Sequence, residues 1–262
     1  MKTMFGKIVL FFIFSFIPIA GIPQVTESTD FPVTSSSPQA QELYKAGMLA
    51  FSDVHLNKAF EDFKKATETE PNFIMPNVWM AFFYFYTKDM AKFKECAERV
   101  ISSTYKLNES EIAIREALKK LMDDPIANVT SYGEKLVQLN PKSFRAYQIL
   151  AVFQGFEGDW PKQSATYREM LKLTNDPAPV YNALGYNSLE QNNIDEALPW
   201  FEKYLAAAPK NPNAYDSMGD YYAKARDYQK AHTYYHKAFR MDSINFKMSY
   251  DKAEALKDKL GY

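Results

Sequence analysis

The chain has 262 residues, of which 47% are hydrophobic and 24% charged, and its formal net charge is −1. This composition is typical of a globular protein, long enough for one large domain or for a stacked array of repeats. No basic run is present, so nucleic acid is not expected as a partner. The single cysteine, Cys96, cannot form a disulfide within the chain and is interpreted as a small buried side chain.

The first 21 residues have the pattern of a secretory signal peptide. Two lysines precede an apolar run over residues 8–17, Pro18 ends the run, and small residues follow at positions 20 and 21. The run is too short to cross ~30 Å of hydrocarbon as a helix. We therefore expect an exported protein, periplasmic or secreted, with no stable membrane anchor after cleavage. The alternative is an uncleaved anchor over residues 8–22.

Residues 22–38 are expected to be a flexible linker. They contain three prolines and many threonines and serines but few large apolar side chains to bury. Further along, Asn108 and Asn128 lie in Asn-x-Ser/Thr sites, which matter only in a host that glycosylates them.

A 34-residue period runs through the remainder of the chain. Gly185 and Gly219 are 34 residues apart, and so are Ala197 and Ala231. Small and aromatic residues recur together at this period, which predicts two helices in each unit. Such a unit cannot bury its apolar face alone and must stack on its neighbours.

The repeated pattern resembles the tetratricopeptide repeat family. In residues 178–211 the resemblance is carried by Tyr181, Leu184, Gly185, Ala197, Phe201 and Pro209, and in residues 212–245 by Tyr215, Met218, Gly219, Tyr222, Ala231, Tyr235 and Ala238. It implies an all-α fold, a right-handed α-solenoid of stacked helix-turn-helix repeats. Six units fit, at about residues 40–73, 74–108, 109–142, 143–177, 178–211 and 212–245. Residues 246–262 are expected to form a C-terminal capping helix, with a truncated seventh unit as the alternative.

The resemblance also implies that the first helix of each unit lines an inner groove. Carrying over the ligand-facing positions predicts these partner-binding residues: Tyr44, Phe51, Trp79, Phe83, Tyr86, Arg145, Gln148, Phe156, Asn182, Tyr186, Asp216 and Asp220. In the third unit the same positions are Glu111, Ile114 and Leu118. Residues 78–86 are apolar all round, so two interpretations stay open, a buried core helix or an exposed binding patch.

No catalytic or phosphate-binding motif is present, and we predict neither an enzyme nor a cofactor. His232 and His236 are four residues apart, but no third ligand is marked, so we expect surface histidines and no metal site. The leading hypothesis is an exported scaffold that binds a protein or peptide in its concave groove, in assembly or maintenance of the cell envelope. The alternative is a carrier that binds a small molecule or glycan in the same aromatic groove.

Overall fold

The computed structural model describes residues 31–260, apart from the side chain of Asp258, so the predicted signal peptide lies outside the described residues. Within this range the chain forms fourteen helices and no strand. The helices are α1 Pro38–Ser52, α2 Leu56–Thr69, α3 Met75–Tyr86, α4 Met90–Ile101, α5 Glu109–Asp123, α6 Thr130–Leu139, α7 Phe144–Phe156, α8 Trp160–Met170, α9 Ala178–Glu190, α10 Ile194–Ala207, α11 Pro212–Lys224, α12 Tyr228–Met241, α13 Lys247–Glu254 and α14 Lys257–Leu260.

Helices α1 to α12 form six consecutive helix-turn-helix pairs, which we number as units one to six. The two helices of each pair pack on one another, and the second helix of each pair also packs on the first helix of the next. The architecture is therefore an all-α solenoid, in agreement with the predicted fold class. None of the described helices is long and apolar enough to cross a membrane.

A glycine and an aromatic ring set the close crossing inside three of the units. A Cβ atom placed on Gly47 would lie 2.6 Å from the ring of Phe63, and one on Gly185 would lie 2.6 Å from the ring of Phe201. Gly219 is in the same relation to Tyr235. In each case the ring follows its glycine by 16 residues and is buried. The repeated glycine is therefore required because the ring of the second helix occupies the space beside the first helix.

The turn inside a unit also repeats. Val54, Lys88, Asn192 and Arg226 have positive φ values of 58–65°, and Gly158 has a φ of 69°. In the first unit the amide of Val54 donates to Phe51 O and the next amide, of His55, donates to Ala50 O, which is a Schellman motif. The same pair of bonds recurs at the other four positions. The residue in the left-handed conformation is thus a structural marker of the 34-residue period.

The third unit lacks this turn. The amides of Val129 and Thr130, at the start of α6, donate to the carboxylate of Glu157 at 2.6 and 2.7 Å. A side chain from the end of α7 therefore caps the α6 N-terminus, where the partial positive charge of a helix favours a carboxylate. This long-range contact takes the place of a local turn signal, and the repeat pattern is accordingly weak in this part of the sequence.

Residues 31–37, which we call the N-terminal strap, are packed against the array. Thr34 donates through its amide and its hydroxyl to Glu111, and the amide and hydroxyl of Ser36 donate to Glu70. Burial raises the pKa of Glu70, but hydrogen bonds from Ser35, Ser36 and Tyr105 outweigh it and lower the pKa to about 2. The prediction of a flexible linker is therefore wrong for residues 31–37, because their hydroxyls and amides satisfy two buried carboxylates.

The C-terminal segment forms two short helices, α13 and α14, where a single capping helix was predicted. The chain leaves the helix at Ala255 and Leu256, and Leu256 is buried beneath the break. Lys252 on α13 forms ion pairs with Asp216 and Asp220 of α11 at 3.0 and 2.9 Å. These half-buried pairs fix α13 against the last full unit.

The hydrophobic core is largest in the first four units. One continuous cluster extends from Phe31 to Phe153, whereas the buried residues of the later units form smaller separate clusters. The aromatic run over residues 78–86 explains the difference. Val78, Trp79, Met80, Ala81, Phe82 and Phe85 are buried, which makes most of α3 a core helix.

Candidate partner-binding groove

A groove with a volume of ≈ 280 Å³ lies between α3, α7, α8 and α9, with one residue contributed by α1. Its lining is mainly aromatic. The residues that line it are Phe51, Trp79, Phe82, Phe83, Tyr86, Val152, Gly155, Phe156, Trp160, Gln163, Tyr167, Ala183, Tyr186, Asn187 and Glu190. We refer to these residues as the aromatic groove.

Trp79 forms the floor of the aromatic groove. Its side chain is only 2% exposed, and its Nε1 donates a hydrogen bond of 3.1 Å to the hydroxyl of Tyr44. The guanidinium of Arg145 lies 5.1 Å from the centre of its ring. A buried indole usually needs a partner for its N–H, and Tyr44 supplies one. Trp79 is therefore held in a fixed orientation.

Phe83 and Tyr86 form one wall and the rim. The half-buried ring of Phe83 packs edge-on against Phe60 at 4.9 Å and against Phe51 at 6.4 Å. Tyr86 is 66% exposed, although it belongs to the same helix. The two interpretations of residues 78–86 are thus both partly correct: most of the segment is core, but its last turn brings an aromatic ring to the surface.

The opposite wall is built by α7, which contacts α3 directly. Phe82 packs edge-on against Phe153 at 5.5 Å, and Phe85 lies 4.5 Å from Phe156. These contacts join the first helices of units two and four, while α5 of the third unit adds nothing to the lining. Aromatic pairs of this kind contribute about 0.5–1.5 kcal/mol each beyond the area that they bury. These ring contacts therefore hold α3 and α7 together.

A polar network fixes α9 against α8. The side-chain amide of Asn187 donates to Gln163 Oε1 and to the carbonyl of Trp160, both at 2.9 Å. Gln163 in turn donates to the carbonyl of Ala151 at 2.8 Å. A Cβ atom on Gly155 would collide with this Gln163 amide, so the glycine is what allows α8 to approach the groove. The amides at the floor are therefore already satisfied and serve to hold the groove in shape.

The groove carries little charge. Among the described residues of its lining, Glu190 is the one acidic or basic side chain, at the exposed end of α9. Burial raises the pKa of Tyr167 and, together with the carboxylate of Asp220, that of Tyr186, so both phenols are neutral at physiological pH. A weakly charged aromatic surface of this kind suits apolar or aromatic side chains, and the described lining residues offer no cation to phosphate or to a cluster of carboxylates.

Six of the predicted partner-binding residues come together in this groove: Phe51, Trp79, Phe83, Tyr86, Phe156 and Tyr186. Tyr44 is not among the lining residues, because its side chain is buried and its hydroxyl accepts the hydrogen bond from Trp79. The prediction is wrong for Glu111, Ile114 and Leu118 of the third unit, all of which are fully buried.

The other predicted residues lie outside the lining. Asp216 and Asp220 face α13, where Lys252 and Ser249 contact them, because the C-terminal helices cover this part of α11. Arg145 donates to Gln148 on the same helix. Asn182 is half-buried, and its Oδ1 has no hydrogen-bond partner among the described residues.

Sequence reasoning missed Trp160, Gln163 and Tyr167, which reach the groove from α8. The family rule assigns the groove to the first helix of each unit, and α8 is a second helix. Gly155 was the available signal. A glycine near the end of a helix, close in sequence to a tryptophan, marks a place where another chain segment comes near.

A second cleft, with a volume of ≈ 260 Å³, lies near the ends of α2 and α4 and is lined by Thr67, Pro71, Asn72, Asn77, Arg99, Ser102 and Ser103. Part of its polar surface is used internally, since Asn72 accepts from the amide of Thr104 and its carbonyl accepts from Ser103. It has no aromatic side chain to anchor a partner. The aromatic groove is therefore the stronger candidate site.

The fold and the groove define a class of protein, an α-solenoid of helix pairs that offers a surface for binding another molecule. The family model described as the tetratricopeptide repeat matches residues 178–211, which hold α9 and α10. The same glycine and aromatic contacts occur in the first and sixth units. The chain therefore contains a tetratricopeptide repeat at residues 178–211, and repeats of this family generally mediate protein–protein interactions.

Comparison with known proteins gives distant relatives. The chain is 29% identical over 85 residues to the chloroplastic tetratricopeptide repeat domain-containing protein PYG7 of Arabidopsis thaliana, a match that covers 32% of this chain and 28% of that protein. The chain thus spans less than a third of the length of this relative.

Two solved structures are similar. One is a thermophilic tetratricopeptide repeat protein of Thermus thermophilus, with 14% identity, a TM-score of 0.49, and coverage of 83% of this chain and 100% of that one. The other is MamA of Desulfovibrio magneticus, with 18% identity, a TM-score of 0.45, and coverage of 58% and 86%.

Proposed function

We propose that this protein is an exported scaffold whose aromatic groove anchors large apolar side chains of a protein or peptide partner. The observation that carries the proposal is the exposed ring of Tyr86 beside the aromatic groove, whose lining carries little charge. Aromatic residues are enriched among those that dominate the energy of protein interfaces. A ring held at the rim of a preformed groove also loses little freedom on binding.

The size of the groove favours anchoring side chains over a free cofactor. Sites for whole small molecules usually have volumes of about 300–1,000 Å³. At ≈ 280 Å³ the groove is at or below this range, and it fits one or two large side chains of a longer ligand. The remainder of that ligand would extend along the first helices of neighbouring units.

Export and a role in assembly or maintenance of the cell envelope belong to the same proposal. They are supported by the lysines, apolar run and small residues in residues 1–21. The test is to produce the full chain in a bacterial host and to determine by mass spectrometry where the N-terminus of the exported protein lies. An N-terminus near residue 21 or 22 supports export. Chain that keeps residues 1–21 and stays inside the cell contradicts it.

Binding is tested by selecting peptides from a displayed random library with the purified full-length protein and measuring the affinities by calorimetry. We expect the selected peptides to carry aromatic or large aliphatic residues. Tyr86→Asp should weaken binding about tenfold or more, which corresponds to about 1.4 kcal/mol. Ile126→Asp is the matched control, because Ile126 is 92% exposed in the α5–α6 connection, away from the groove.

Two results would contradict the proposal: no peptide enriched by selection, or equal affinity losses in the Tyr86 and Ile126 variants. A glycan panel screened by thermal shift tests the alternative carrier function. The carrier function would be supported if no peptide is selected and a glycan stabilises the wild type but not Tyr86→Asp. The ligand would then be a sugar ring stacked on the same aromatic face.

A further inference from the structure

Helix α13 brings a third potential metal ligand to the two histidines of α12. His232 and His236 lie one turn apart on α12, and their ring centres are 4.4 Å apart. Glu254, the last residue of α13, places Oε1 3.7 Å from His236 Nε2. One ligand atom from each of the three residues lies within 4.8 Å of the other two. We propose that His232, His236 and Glu254 bind a divalent transition metal such as Zn²⁺.

An unsatisfied atom points to a ligand at this place. Nε2 of His232 is buried and has no hydrogen-bond partner in the described part of the chain. Leaving a buried polar atom unpaired is unfavourable, because the atom loses its contact with water and gains no partner in exchange. A bound metal ion would satisfy this nitrogen, because a neutral imidazole coordinates through the lone pair that is otherwise unused.

The donor set suits zinc and its neighbours in the first transition row. Two imidazoles and one carboxylate form a common three-residue zinc site, and the fourth position is then left to water. In a tetrahedral site with bonds of ~2.0–2.2 Å, ligand atoms are about 3.3–3.6 Å apart. The present separations require the side chains to close by roughly 1 Å, which rotations of the half-buried rings and of Glu254 can supply. Mg²⁺ and Ca²⁺ prefer oxygen donors and should bind poorly.

Neighbouring groups orient the carboxylate without occupying all of it. Lys257 forms an ion pair with Oε2 of Glu254 at 2.7 Å, while Oε1 faces His236. The lysine can therefore orient the carboxylate by binding the oxygen that the metal does not use. Metal ligands in proteins are commonly oriented by hydrogen bonds of this kind. The ring of Tyr250 packs edge-on against His236 at 5.5 Å and limits its rotation.

Metal binding would cross-link the last full unit to the C-terminal helices. Helix α13 is already attached to α11 through Lys252, and the metal would attach its last residue, Glu254, to α12. A ligand that binds only the folded chain stabilises it in proportion to its affinity and concentration. Zinc should therefore stabilise the end of the array most.

The test uses the untagged full-length protein, stripped of metal and titrated with Zn²⁺ and with Co²⁺. We expect one ion per chain and the visible absorption of tetrahedral Co²⁺. His232→Asn, His236→Asn and Glu254→Gln should each weaken zinc binding by about tenfold or more. His55→Asn is the matched control, since His55 is the remaining histidine of the chain, lies 3.7 Å from Asp242 and is not one of the three clustered residues.

A second readout guards against loss of fold in the variants. Zinc should slow trypsin cleavage at Lys257 and Lys259 in the wild type and in His55→Asn, but not in Glu254→Gln. Circular dichroism of each variant checks that the helices are kept. The proposal fails if zinc binds the wild type with a dissociation constant weaker than about 100 µM, so that the site is not filled at that metal concentration. It also fails if His55→Asn weakens binding as much as the cluster variants, or if Glu254→Gln binds zinc as the wild type does.

Discussion

Replacing Val54 by asparagine should stabilise the protein. Val54 has a φ of 62°, in the left-handed region that β-branched residues avoid. This conformation costs most residues other than glycine roughly 1–2 kcal/mol, and it costs asparagine less. Asn192 occupies the equivalent position of the fifth unit with a φ of 58°. The expected gain for Val54→Asn is therefore about 1 kcal/mol, less a few tenths for the apolar contact of the half-buried valine.

In a chain of this size, 1 kcal/mol raises the melting temperature by about 2–4 °C. The shift is measured by circular dichroism. Because stacked units can unfold in parts, hydrogen exchange of the α1 and α2 amides is measured as well. The reciprocal change, Asn192→Val, should lower stability by a similar amount. Val54→Thr retains the branched side chain and should change it by less than about 0.5 kcal/mol.

The reasoning would be refuted if Val54→Asn left α1 and α2 no more protected, or destabilised them, while Asn192→Val had no effect. That pair of results would mean that the left-handed conformation carries no strain at this turn. A gain in Val54→Thr equal to that in Val54→Asn would instead assign the effect to polarity and not to backbone conformation.

Three further predictions test the packing. Gly185→Ala should cost about 1–3 kcal/mol in denaturant unfolding because its Cβ would lie 2.6 Å from Phe201, and Phe201→Leu in the same chain should recover part of the loss. Burial raises the pKa of Cys96 to about 11, so maleimide should label this thiol at pH 8 only after denaturation, and rapid labelling of the folded protein would contradict its buried position. The pKa of Glu70 is lowered from 4.5 to about 2, so its stabilising effect is complete above pH 4.5 and is lost as the pH falls toward 2. Glu70→Gln should remove this pH-dependent stabilisation, which amounts to at most about 3 kcal/mol. The prediction is wrong if the melting temperature falls by the same amount between pH 7 and pH 3 in the wild type and in Glu70→Gln.

The regular part of the fold could be predicted because its sequence signals are local. Gly185 and Phe201, or Gly219 and Tyr235, meet inside one unit, and each pair repeats at the period of the helix pairs. The positive-φ turn follows the same period, but it could be recognised in advance only at Gly158 and Asn192, where the residue types suit the conformation. Lys88 and Arg226 adopt the same backbone without any such signal.

The irregular parts depend on contacts between distant residues, which a period cannot show. Glu157 caps α6 from 27 residues away, and Glu111 receives Thr34 across 77 residues. Composition alone predicted a flexible linker for the strap, since serine and threonine are common in linkers. The same residues are also good donors to a buried carboxylate, and only the fold reveals where the carboxylates lie.

The location of the aromatic groove follows from the break in regularity at the third unit. In an even stack the first helices of successive units would lie side by side and bury one another's aromatic rings. Here α3 meets α7 directly through Phe82, Phe85, Phe153 and Phe156, and α5 stays out of the lining. The turn of α3 that ends at Tyr86 therefore has no aromatic partner from the third unit and remains exposed. In this chain the departure from the period at the third unit therefore coincides with the exposed aromatic surface where the proposed partner would bind.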